Sequence, residues 1–427
     1  MIWLVSLAGL AMLAAGAAVA YAFGAASILT FLATDNARYL PILPQRVFSQ
    51  IDVFALMAMP LFILAGEIMN RAGITRALVD LSMALLGRLK GGLGYVNILT
   101  SVFFAGISGS AVADAAALAN TLVPAMRARG YSPLYAGAIT AAASVIGPII
   151  PPSLVMIFYG AIMQTSVAAM FIGGILPGLL LAAALAIANV YFAHRDDHPG
   201  GRDAETPRLL PAFRHAAPSL ALPVIILGGI VFGVVTPTEA AGLAVLVAIA
   251  VGLYYGGVDW TGLREGIEQT ASLTGAIFMI LGAVACFGWL AGSMQLPQQL
   301  VALVAQLGLG KTDYLLLINL IFIISGMFLD APVAMALLVP LLAPAAVTSG
   351  VDPVHLGIVI SLNLTIGFIT PPIGASLLVV SAVMKIGYWE LARATLPFVF
   401  VEVVVLLAII FEPEITLFLP RLLGFIT

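Results

Sequence analysis

Between Tyr131 and Ala193 the chain carries no Asp, Glu, Lys or Arg. A soluble protein cannot cover its surface with such a stretch. An average soluble domain is about 25% charged, whereas this 427-residue chain is 9% charged and 62% hydrophobic. A bilayer removes the difficulty, because lipid tails solvate apolar side chains. One crossing takes roughly 20 apolar residues for about 30 Å of hydrocarbon, so the uncharged stretch holds more than one. The expectation is an all-α polytopic membrane protein with lipid around it. A net charge of −3 leaves no large basic surface, so nucleic acid is not expected as a partner. The one cysteine, Cys286, excludes an internal disulfide framework and a multi-cysteine metal cluster.

Candidate spans lie near 2–32, 52–70, 94–128, 133–160, 168–193, 217–235, 237–256, 271–293, 312–348, 354–384 and 394–418. The first begins at Ile2, and the first basic residue is Arg38. The positive region of a signal peptide is missing, so this stretch reads as a retained span. The clearest hydrophilic break is 194–217, with Arg195, Arg202, Arg208 and Arg214 against Asp196, Asp197, Asp203 and Glu205. Lys and Arg favour the cytoplasm whatever the acids do, which places this linker there. In the polar region Asn70 to Lys90, Leu78, Leu81, Leu85 and Leu89 fall three and four apart. That spacing predicts one apolar stripe on an interfacial helix.

The chain repeats itself. At an offset of 220 residues, Gly130, Pro133 and Gly137 correspond to Gly350, Pro353 and Gly357. At the same offset, Gly147-Pro-Ile-Ile-Pro151-Pro152 corresponds to Gly367-Phe-Ile-Thr-Pro371-Pro372, and Pro124 to Pro344. Self-similarity of this kind is expected of transporters built from repeats. The predicted order is an N-terminal span and connection (1–50), a first repeat (51–193), the linker (194–217) and a second repeat (218–427).

Each repeat contains two apolar arms too short to span comfortably. Gly94 to Gly106 and Ala111 to Arg127 flank Ser108-Gly109-Ser110. Tyr314 to Ile324 and Ala331 to Val347 flank a tip at 325–330. The reading is a re-entrant hairpin in each half, the alternative a single long kinked span. The double prolines 151–152 and 371–372 break a helix, since proline lacks the amide donor and clashes with the preceding turn. Broken helices at membrane depth persist where they are buried in protein or line a cavity. Their freed carbonyls and half-helix ends coordinate ions and anionic groups.

Ser108, Ser110 and Asp114 lie in or beside the first tip, Ser325 and Asp330 in the second, and Thr370 at the second break. An Asp at the bilayer centre costs about 2.5–3.5 kcal/mol on insertion scales and is rarely there without a partner. A hard cation such as Na⁺ takes hydroxyl, carbonyl and carboxylate oxygens. A proton-carrying Asp and plain helix capping are the two other readings, and capping is compatible with ion binding. Asn97, Asn120, Asn319 and Asn363 are polar in apolar surroundings and suited to bonding another helix. Glu239, behind Thr236-Pro237-Thr238, is expected at a helix start. Three of the four histidines (194, 198 and 215) fall in the linker, and no Walker A sequence or zinc spacing is present, which argues against an intramembrane enzyme.

Gly106-Ile-Ser-Gly-Ser-Ala-Val-Ala-Asp114, Gly147-Pro-Ile-Ile-Pro-Pro-Ser153, Asn363-Leu-Thr-Ile-Gly-Phe-Ile-Thr-Pro-Pro-Ile-Gly374 and Pro60-Leu-Phe-Ile-Leu-Ala-Gly66 together resemble the large membrane subunit of TRAP transporters, the tripartite ATP-independent periplasmic systems of the DctM type. The resemblance covers nearly the whole chain. It implies an ion-transporter-type fold with two inverted repeats, each holding a hairpin and a broken helix. It implies transport driven by Na⁺ with an elevator-like shift, in a bacterial inner membrane. The implied partners are a small four-span membrane subunit and a soluble periplasmic binding protein that delivers an organic acid. Carried over by position, the implied ion-site residues are Ser108, Gly109, Ser110 and Gly147, with Ser325, Gly326, Gly367 and Thr370 as counterparts. Half-helix N-termini near the breaks attract a carboxylate, which puts the expected substrate region beside Pro148 and Asn363. No arginine falls at the tips, so a direct Arg–carboxylate clamp is not expected there. A stand-alone Na⁺ or H⁺ symporter of the same fold is the alternative.

Overall fold

The structure, a computed structural model, describes residues 11–12, 15–34, 37–200 and 206–426. The start of the first expected span, and Arg202, Asp203 and Glu205 of the linker, lie outside the described residues. Among the described residues every regular element is helical. Seven helices are long and apolar enough to cross a membrane: Phe54–Arg71, Val167–Arg195, Leu209–Val231, Pro237–Tyr255, Trp260–Ser293, Ala331–Thr348 and Tyr388–Phe411.

Both hairpins are present. The first runs Gly92–Ser108 and Ala111–Ala128. Gly109 ends the first arm at φ +61°, a left-handed conformation that glycine adopts without steric cost. The arms fold back on one another, since the Asn97 side chain near the first arm's start lies 4.0 Å from the Met126 sulfur near the second arm's end. The second hairpin runs Lys311–Gly326 and Ala331–Thr348, closed by Tyr314 Oη donating to the Leu342 carbonyl at 3.1 Å. The single-kinked-span alternative is thereby set aside in both halves.

The broken helices follow. Pro133–Ser144 and Leu154–Met163 flank the first break, and Pro353–Gly367 and Ala375–Met384 flank the second. Pro151-Pro152 and Pro371-Pro372 each contain a cis peptide bond. The two broken helices lie side by side in opposite directions. Gly137, near the start of the first, sits against Met384 at the end of the second. Gly357, near the start of the second, sits against Tyr159 near the end of the first. Reciprocal start-to-end contacts between segments 220 residues apart are the signature of inverted repeats.

Several boundaries differ from expectation. Helices Leu43–Ile51 and Leu296–Gln306 fall outside every predicted span, because each is short and mixed in polarity. The span expected at 271–293 extends back to Trp260. Its first turns carry Arg264, Glu265 and Glu268, which no apolar window includes. The polar region after Asn70 forms the helix Ile74–Leu86, with Leu78 and Leu81 buried and Leu85 and Leu89 each 47% exposed. The four-leucine stripe is therefore corrected to two. The helix ends at Leu86, and its buried face is completed by Ile74, Ala77 and Ser82. Glu239 stands at a helix start as expected, accepting from the Thr236 amide at 2.8 Å while Thr236 Oγ1 caps Glu239.

Candidate functional site

A cavity of about 510 Å³ opens where the first hairpin tip, both breaks and the start of the second hairpin's outer arm converge on the helices Ala58–Arg71 and Trp260–Ser293. Of the residues singled out from sequence, Ser108, Gly109, Ser110, Pro148 and Asp330 line it. Asp114 lies directly behind them, fully buried.

The first tip is built for close approach. A Cβ on Gly109 would stand 2.5 Å from the Pro152 carbonyl oxygen, so only glycine lets the tip meet the break. Ser110 begins the second arm and accepts from the Ala113 amide at 3.4 Å. Ser108 Oγ is hydrogen-bonded to Asp114 Oδ1 and accepts from the Ser110 amide at 3.2 Å. Asp114 Oδ2, by contrast, is buried with no hydrogen-bond partner among the described residues. It faces the break so closely that a Cβ on Gly147 would fall 2.2 Å from it. Beyond Gly147, the Pro148 carbonyl accepts from Ser153 Oγ, and Ser153 caps the second half-helix through the Met156 amide at 3.2 Å.

The second tip has the same plan with different chemistry. Gly326 packs backbone to backbone on Gly367, where a Cβ would meet Gly326 C at 2.6 Å. Ser325 Oγ donates within its helix to the Phe322 carbonyl at 2.9 Å, and Thr370 Oγ1, in the break, donates back to the Ile366 carbonyl at 2.7 Å. Asp330 caps Ala331–Thr348, accepting from the Ala331 amide at 3.0 Å while lining the cavity. Asn363 does not line the cavity. Its Nδ2 donates to the Asn319 carbonyl at 2.8 Å and to Asn319 Oδ1 at 2.6 Å, which ties the second broken helix to its hairpin. Asn97 likewise donates to Thr140 Oγ1 at 2.6 Å, while Asn120 bonds only within its own helix.

Three polar residues line the cavity without having been predicted there: Glu67, Asn70 and Gln269. Arg71, one turn from Glu67, pairs with Glu265 at 2.6 Å and reaches Gln269 Oε1 at 3.4 Å. The sequence marks Glu67 as a carboxylate in an apolar run, but carries no sign that residues 200 positions apart share one wall.

Two hairpins whose tips meet two oppositely running broken helices around a shared cavity define a polytopic membrane carrier of the ion-transporter type. The chain matches the family described as tripartite ATP-independent periplasmic transporter, DctM component, over residues 5–415. It is 38% identical over 395 residues to the sialic acid TRAP transporter large permease protein SiaM of Vibrio cholerae, covering 92% of both chains. It is 35% identical to the C4-dicarboxylate TRAP transporter large permease protein DctM of Pseudomonas aeruginosa, covering 94% of this chain and 93% of that one. Its fold is similar to that of the Alcanivorax borkumensis YdaH transporter, whose crystal structure is described as revealing an unusual topology. The TM-score is 0.61 at 16% identity, with 88% of each chain covered. The chain belongs to the TRAP transporter DctM family, whose members named here are permease subunits and not enzymes.

Proposed function

We propose that the chain is the large membrane subunit of a Na⁺-driven importer of an organic acid, working in a bacterial inner membrane. A small four-span membrane subunit and a soluble periplasmic binding protein complete the system, and the binding protein delivers the acid. The named relatives transport sialic acid and C4-dicarboxylates, and the same class of substrate is proposed here. Na⁺ is a co-transported substrate, taken at the first tip. The observation that carries this reading is Asp114 Oδ2, a buried carboxylate oxygen without a partner, facing a break that frees backbone carbonyls. An unpaired charge in a low-dielectric interior is costly until a counter-charge arrives. Na⁺ supplies that charge and accepts oxygen ligands of the kind the tip presents. The second tip, with Ser325, Gly326, Gly367 and Thr370, is the place of an unequal second ion site. Filling and emptying these sites governs an elevator-like movement of hairpins and broken helices against the rest of the chain.

The test is thermal unfolding of the purified protein, with its small partner, in NaCl against choline chloride at equal ionic strength. Saturation at 100 times the dissociation constant stabilises by about 2.7 kcal/mol. That Na⁺-specific increment is expected to vanish in Asp114→Asn and to weaken in Ser110→Ala and Thr370→Ala. Proton coupling is the second reading, favoured by the Ser108–Asp114 hydrogen bond, which a protonated carboxyl also makes. Equal stability in both salts, together with uptake that follows a pH gradient alone, would establish it instead.

A further inference from the structure

A second cavity, of about 450 Å³, lies elsewhere along three of the helices that wall the first. On Trp260–Ser293 the first cavity touches Leu273 and the second Ala285; on Ala331–Thr348 they touch Pro332 and Pro340; on Leu154–Met163 they touch Leu154 and Met163. Leu273 and Ala285 are twelve residues apart in one helix, so the cavities are offset by roughly 18 Å along it. Each helix meets the first cavity closer to its start and the second closer to its end. The two cavities are therefore successive stations along one wall.

Their chemistry is opposite. The first is lined by the carboxylates Glu67 and Asp330 and by no Arg or Lys. Among the described residues the second is lined by one charged residue, Arg46, together with Ser49 and Gln50 from the same helix face, and by no Asp or Glu. Three and four residues apart, these side chains project on one side of Leu43–Ile51. The Arg46 guanidinium sits 3.9 Å from the centroid of the Trp289 ring and makes no ion pair among the described residues. Stacking on an indole fixes the plane of a guanidinium while leaving its donors free. A planar cation with free donors, flanked by a hydroxyl and an amide, suits a carboxylate.

We propose that this second cavity is an anion site for the carboxylate of a small organic acid, organised by Arg46 over Trp289, and that it forms a station distinct from the hairpin-tip cavity. The choice of carboxylate rests on the transport reading above. The anion preference itself rests on Arg46 and the absence of acids around it.

Trp289 reports on the site directly. In the full chain with Trp3, Trp260 and Trp389 changed to Phe, Trp289 emission is quenched with choline iodide and, separately, with neutral acrylamide. A unit charge about 5 Å away enriches a monovalent anion roughly fourfold even in water. Arg46→Gln is therefore expected to lower iodide quenching about fourfold while acrylamide quenching stays constant, and Arg46→Lys to keep most of the iodide effect. Succinate is expected to protect against iodide in the parent and not in Arg46→Gln. An unchanged iodide-to-acrylamide ratio in Arg46→Gln overturns the proposal. So does protection by phosphatidylglycerol in mixed micelles with none by succinate, which would make the site a lipid headgroup seat. A change in acrylamide quenching would expose a folding defect, and Arg46→Lys then decides. No Na⁺ is present in this assay, so a failure of the Na⁺ reading leaves its outcome untouched.

Discussion

Replacing Gly367 with alanine tests whether the second hairpin tip is held by backbone contact. The added Cβ would lie 2.6 Å from Gly326 C, 2.7 Å from its Cα and 3.0 Å from its O. Carbon atoms pack best at about 3.5–4.0 Å, so the tip must retreat by roughly 1 Å. Those atoms are backbone and cannot turn aside as a side chain would. Nor can Gly326 slide freely, since its own Cβ direction is closed by the Leu364 carbonyl at 2.8 Å. Overpacking of this kind costs about 1–3 kcal/mol. The control is Gly242→Ala in Pro237–Tyr255, where the new Cβ has nothing within 4 Å. There the loss of glycine's backbone freedom in the unfolded chain stabilises by about 0.5–1 kcal/mol. Unfolding the purified proteins by titrating a harsh detergent into mixed micelles measures both. Opposite signs for the same chemical change are the expected result. A Gly367→Ala protein within about 0.5 kcal/mol of the parent, the scale of an ordinary surface substitution, would mean that the tip and the break do not touch as described.

Three further outcomes follow from buried polar groups. Asn363→Ala strands Asn319 Oδ1 and is expected to cost about 1–3 kcal/mol, whereas the double change with Asn319→Ala should cost less than the sum of the two single changes, as a double-mutant cycle reads out. Glu402 is fully buried in Tyr388–Phe411 with neither carboxylate oxygen partnered among the described residues; Glu402→Met removes that burden and should raise unfolding stability by about 1–3 kcal/mol, and a loss would reveal a bound partner. His198, outside the membrane helices, is 4% exposed between the rings of Tyr131 and Tyr135, with centroids at 4.9 and 4.1 Å. Burial pushes its imidazole below the usual range, and nearby Lys90 pushes the same way while Asp196 opposes. The unfolded chain then binds the extra proton first, so stability is complete above a pH of about 6.5 and falls as the pH drops below it. A pH series of unfolding midpoints should show that loss in the parent and a smaller one in His198→Phe.

The hairpins and breaks were legible because their signals are local. Ser-Gly tips and Pro-Pro pairs interrupt otherwise uniform apolar runs, and each recurs in the second half, the Pro-Pro pair at an offset of 220 residues and the Ser-Gly tip at 217. The arms predicted at Ala111 to Arg127 and Ala331 to Val347 match the observed Ala111–Ala128 and Ala331–Thr348 closely. Helix Leu296–Gln306 falls outside every predicted span because its 11 residues are too few to cross a bilayer and mixed in polarity. The spacing of Leu78, Leu81, Leu85 and Leu89 predicts one buried stripe, but in lipid an exposed leucine carries no penalty, so Leu85 points outward at no cost. Glu67 and Gln269 could not be joined by reading alone. Their proximity is set by how Ala58–Arg71 packs on a helix two hundred residues later.

The helix Trp260–Ser293 has a mechanical consequence. Its 34 residues reach about 51 Å, against roughly 30 Å of hydrocarbon, so it stands proud of the bilayer core. It contains no proline, whereas Ala111–Ala128, Val167–Arg195, Leu209–Val231, Ala331–Thr348 and Tyr388–Phe411 each carry at least one inside. With its hydrogen-bond ladder free of proline breaks, it acts as a stiff mast set beside jointed ones. Labels at Leu273 and Ala285, twelve residues apart on that element, are expected to keep one separation of roughly 18 Å along its axis in NaCl and in choline chloride alike.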